Sequence, residues 1–106
     1  MYTKKTIQRN PEVMWREEEE TLADVSRKLV QGEDVSDIGV AVLFSGGALL
    51  SINCLGMEIW KQCHNRTVDE IVAELLQQYD VEEELLRQDV QAFLDELARK
   101  GFIAYV

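Results

Sequence analysis

The chain has 106 residues, 46% of them apolar, and a formal net charge of −9; this fits one domain with a real core and excludes a disordered chain. Lys4, Lys5 and Arg9 precede the first acid, Glu12, and from residue 10 onward 20 acids stand against 8 bases, a balance of −12, which repels the nucleic-acid phosphate that Lys and Arg clusters bind. No stretch approaches the ~20 apolar residues of a membrane span, and the N-terminus lacks the pattern of a secretory signal, so a soluble, cytoplasmic protein is expected.

Residues 1–11 are polar and read as a flexible arm. "EVMWRE" (12–17) alternates, with Val13 and Trp15 on one side and Met14 and Arg16 on the other, which predicts a short strand. Leu22, Val25 and Leu29 then recur at helical spacing ahead of Gly32 and predict a helix over 18–31. A connector covers 34–39. "VAVLFSGGALLSIN" is a hairpin around Gly46-Gly47, because adjacent glycines accept the positive φ angles of a tight turn. With those two as the loop, Phe44 pairs with Leu49 and Val42 with Ser51, while Leu43 and Leu50 share the opposite face.

Three helices follow. Asn53 caps "CLGMEIWKQC", where Leu55, Ile59, Trp60 and Cys63 form one stripe. "TVDE" is a capping box of Thr67 and Glu70, and Val68, Ile71, Val72, Leu75, Leu76 and Tyr79 line the next helix. Asp80 with Glu83 suggests the cap of the last helix (80–100), lined by Val81, Leu85, Leu86, Val90, Phe93, Leu94 and Leu97 and stopped at Gly101. "FIAYV" reads as a short apolar extension. The acidic runs Glu17–Glu20 and Glu82–Glu84 stand at helix starts, where carboxylates favour the helix dipole.

Catalysis has little to work with. There is one histidine, His64, and no nucleophile motif beside a base. Gly46-Gly47 lacks the further glycines and the Lys of a phosphate loop. Cys54, Cys63 and His64 fall one short of a closed zinc set, and neither a metal, a cofactor nor a Cys54–Cys63 disulfide is expected.

A binding module remains. Strand, hairpin and three helices predict an α+β, winged-helix-like fold: about three antiparallel strands on a three-helix bundle, with an extra helix between the first two strands. That layout admits an acidic transcriptional regulator. Against it, the last helix carries seven acids against Arg87, Arg99 and Lys100, a poor match to a phosphate-lined groove. Residues 48–53 hold neither a charge nor a proline, the devices that guard sheet edges. An unguarded edge receives an extended peptide; a central or covered strand does not, and the residues alone leave both open.

The order of "VMWRE", "VLFSGGALLSIN", "IWKQC", "RTVDEIVAELLQQYDV" and "DVQAFLDELARKGFI" resembles the PqqD family over residues 10–103. The resemblance implies a non-catalytic peptide chaperone, or leader-peptide recognition element. Such a protein binds the leader of a ribosomally made precursor by strand addition and presents it to a radical S-adenosylmethionine enzyme. Carried onto this chain, the peptide-binding residues are Leu49, Leu50, Ser51 and Ile52 on the strand and Leu86, Val90 and Phe93 on the last helix. Residues 18–39 exceed the short members that serve pyrroloquinoline quinone synthesis and resemble longer stand-alone members. Service in that synthesis itself, and a subunit that contacts only the enzyme, are the alternatives within this reading.

Overall fold

A computed structural model describes residues 5–106. In chain order the elements are β1 (Ile7–Arg9), β2 (Met14–Glu17), α1 (Glu19–Val30), β3 (Ala41–Ser45), β4 (Ala48–Ile52), α2 (Cys54–Gln62), α3 (Val68–Gln78), α4 (Glu83–Arg99) and β5 (Ile103–Tyr105). The protein is α+β, as the sequence predicts, with a three-stranded antiparallel sheet in the order β2-β3-β4. A second, two-stranded antiparallel sheet joins β1 to β5.

One domain is the expectation from length; the chain forms two compact units. Glu12–Glu58 make the first, and Ile59–Val106 with the N-terminal stretch through Pro11 make the second. In the first unit, Gly46 and Gly47 both take positive φ (53° and 85°) and close the hairpin. The register is the expected one: Phe44 faces Leu49, Leu43 faces Leu50 and Val42 faces Ser51. Ala41, Leu43 and Ile52 are buried on one sheet face, and Val25, Val35, Val40 and Met57 are buried with them in this unit. Helix α1 departs from its predicted stripe. Only Val25 is buried, and Leu29 is 53% exposed.

In the second unit, α3 starts at the predicted capping box. Thr67 Oγ1 accepts from the Glu70 N–H at 3.1 Å, and Glu70 Oε1 accepts from the Thr67 N–H at 2.9 Å. Val68, Ile71, Val72 and Leu75 of α3 and Leu86, Val90, Leu94 and Leu97 of α4 supply the buried stripes. The cap expected at Asp80 is not formed. Helix α4 begins three residues later with Glu82 in the cap position and no side-chain bond there. Tyr79 and Glu82 are both extended, and no helix begins between them.

The flexible arm is the larger correction. Its residues 1–4 lie outside the described residues, but Ile7–Arg9 are a strand paired to Ile103–Tyr105. Ile7 is fully buried. Its N–H donates to the Arg66 carbonyl at 2.8 Å, and its carbonyl accepts from the Asn65 N–H at 2.7 Å. The Arg9 N–H donates to His64 Nδ1 at 3.1 Å, and the Arg9 guanidinium lies 5.1 Å above the Trp60 ring. Within the C-terminal "FIAYV", the short apolar extension of the sequence, Ile103–Tyr105 form the partner strand β5.

Candidate functional site

The strand that the sequence leaves without a neighbour, β4, lies at the edge of its sheet, with β3 on one side and, among the described residues, no strand on the other. Strand pairing fixes which backbone groups are open there. In a two-residue hairpin the residues flanking the turn, here Ser45 and Ala48, form a bonded pair, and bonded pairs then recur at every second position. Leu43–Leu50 and Ala41–Ile52 are the next bonded pairs. Ala48, Leu50 and Ile52 thus direct their N–H and C=O toward β3. Leu49 and Ser51 direct theirs away from β3, to the open edge.

The far end of β4 is tied down within the same unit. The Val40 N–H donates to the Ile52 carbonyl at 2.8 Å. Asn53 caps α2 as predicted, its Oδ1 accepting from the Gly56 N–H at 2.8 Å, and its Nδ2 donates to the Ser36 carbonyl at 2.9 Å. Gly39 completes this fit by having no side chain. A Cβ there would stand 2.1 Å from Ser51 Oγ, so Gly39 lies directly against the Ser51 side chain. These contacts anchor the 51–53 end of β4 within its own unit.

The four strand residues of the candidate site are therefore not equivalent. Leu49 and Ser51 are exposed, Leu50 is half-buried and Ile52 is buried. Sequence reasoning names all four as backbone contacts; the register singles out two, and turn length is the signal that separates them. The helical members lie in the other unit. Leu86 and Val90 are buried, Phe93 is half-buried, and the adjacent Leu85 is exposed. Leu86 and Val90 lie on one face of α4 together with Leu94 and Leu97, the stripe that forms core in this unit.

Cys63 and His64 make contacts within the fold. Cys63 is buried, its thiol donates to the Trp60 carbonyl at 3.5 Å, and burial pushes its pKa up to about 11. Burial and then the nearby Glu58 raise the Cys54 thiol as well. Both cysteines are free. A thiol held protonated is a poor nucleophile and a poor metal ligand. His64 uses Nδ1 to accept the Arg9 backbone N–H. Among the described residues no cluster of His, Cys, Asp and Glu suits a metal ion, and no helix is long and apolar enough to cross a membrane. On α4, Arg87 is held by Asp69 and Glu83.

Residues 39–103 match the protein family described as Coenzyme PQQ synthesis protein D (PqqD). No curated protein and no solved structure matches the chain. The matched segment opens at Gly39, the residue seated against Ser51, and takes in β3, β4 and all three following helices.

Proposed function

Because the chain belongs to the PqqD family, we propose that it is a peptide chaperone that takes the leader of a ribosomally made precursor as an added strand on β4 and presents it to a radical S-adenosylmethionine enzyme. At family level the role is that of a peptide-binding chaperone related to pyrroloquinoline quinone synthesis, without chemistry of its own. The observation that supports strand addition here is the outward backbone of Leu49 and Ser51 on an edge free of charge and proline. Alternate residues of a bound strand face the same way, so the leader should carry apolar anchors two residues apart.

The family match begins at residue 39, so α1 and the connector after it lie outside it. A longer form that serves some other modified peptide is the finer part of this proposal, and service in quinone synthesis itself is its alternative. The regulator reading gains nothing from the structure, since exposed Glu83 and Glu84 open α4 and repel phosphate.

The test is a calorimetric titration with a candidate leader peptide that carries apolar residues two positions apart. Wild type should bind it. Ser51→Pro removes one outward N–H without touching a β3–β4 bond, so binding should fall sharply while far-UV circular dichroism is unchanged. A folded Ser51→Pro protein that binds the leader normally would remove β4 as the peptide's neighbour.

A further inference from the structure

The face of the three-stranded sheet opposite Ala41 and Leu43 carries a row of apolar side chains whose two ends are largely exposed. Met14 on β2 faces Phe44 on β3, and Phe44 faces Leu49 on β4. Residues directly opposite one another share a sheet face, so the three side chains stand side by side across the whole sheet. Met14 is 66% and Leu49 68% exposed, and Phe44 is half-buried. Together with Glu12 and the Gly46-Gly47 turn they line a groove of about 400 Å³. The row stops at Leu49, the residue whose N–H and C=O point out of the open edge.

We propose that this row selects the bound peptide: the residue that pairs with Leu49 is a large apolar one, and it extends the row Met14–Phe44–Leu49 to a fourth strand. The inference rests on the edge-addition reading and adds a specificity determinant to it. An antiparallel strand bonded through Leu49 must place one residue directly opposite Leu49, on Leu49's own face. An apolar side chain there covers exposed Leu49; a charged one would meet apolar surface and lose hydration. The next position on that face is opposite Ser51, whose hydroxyl adjoins Gly39. The row beside it is Arg16–Val42–Ser51, which is smaller at the edge and carries a cation at its far end. Two neighbouring positions of the peptide on this face are therefore read differently: a large apolar residue at Leu49 and no such demand at Ser51.

A random peptide library displayed on phage, panned in parallel on wild type, Leu49→Thr and Ser51→Pro, tests this. Leu49→Thr puts a β-prone residue at an exposed edge position and keeps the backbone groups, and circular dichroism verifies its fold. Wild type should enrich peptides with a fixed large apolar position. Leu49→Thr should enrich peptides that have lost the preference at that position alone, and wild-type winners should bind it about two- to five-fold more weakly. Ser51→Pro should enrich nothing. An unchanged preference on Leu49→Thr, with enrichment still lost on Ser51→Pro, overturns the row and leaves the edge reading intact. Enrichment that survives Ser51→Pro and vanishes on Leu49→Thr makes this face a docking surface without strand pairing, and overturns both. So does the failure of wild type to enrich any peptide.

Discussion

Cys63 shows how burial sets the chemistry of a single residue. Its proton is held up to about 11, against an ordinary value of 9.0, because the apolar surroundings disfavour the thiolate. The folded state therefore binds this proton more tightly than the unfolded state does. The contribution is intact below pH 9 and is lost as pH rises from 9 through 11, at up to about 1.4 kcal/mol per pH unit. Urea denaturation at pH 8 and near pH 10.5 should show wild type losing stability across that window. Cys63→Ala should start lower and decline less. An equal slope in the two proteins would show that the thiol is not the titrating group. Iodoacetamide should likewise modify half-buried Cys54 in the native protein well before Cys63.

Two elements have clear consequences. The first is β1. A loose arm would tolerate any substitution, whereas a buried strand residue does not. Ile7→Ala should cost about 2–5 kcal/mol, read as a lower denaturation midpoint; a change within experimental scatter would restore the loose arm. The second is β4, where neighbouring residues face opposite ways. Leu50 directs its N–H to Leu43, so Leu50→Pro removes a sheet bond and disrupts the hairpin. Ser51→Pro spares every β3–β4 bond. Thermal melts should separate them, with a large loss for Leu50→Pro and a small one for Ser51→Pro. Equal losses would mean that the assigned bonding alternation is wrong. Substituting Gly39 by Ala is a milder probe of the same strand, because the new Cβ would force Ser51 Oγ into another rotamer.

For the whole molecule the dominant property is charge. A net −9 and exposed acids at the starts of α1 and α4 should speed association with a basic surface on the proposed enzyme partner and slow it as salt rises. Stopped-flow association rates measured across ionic strength check this, and a flat profile removes electrostatics as the docking force. The charge balance is legible from composition alone. So are the hairpin, the Asn53 cap and the Thr67–Glu70 box, because each depends on residues a few positions apart and on local rules of turn and cap geometry. The PqqD resemblance is legible for the same reason, being an order of such local signals. What the sequence could not show is non-local. Strands β1 and β5 are three residues each and almost a full chain length apart, too short for a period and too distant for a turn, so only tertiary structure turns "TIQRN" and "FIAYV" into a sheet. The stripe of α4 is legible, but its use is not: periodicity says that Leu86 and Val90 share a face, and packing decides that the face is buried. The edge of β4 is the mixed case. Absence of charge and proline marks an unguarded strand, but whether it is central or peripheral depends on where β2 pairs, and β2 pairs with β3, leaving Leu49 and Ser51 to face outward.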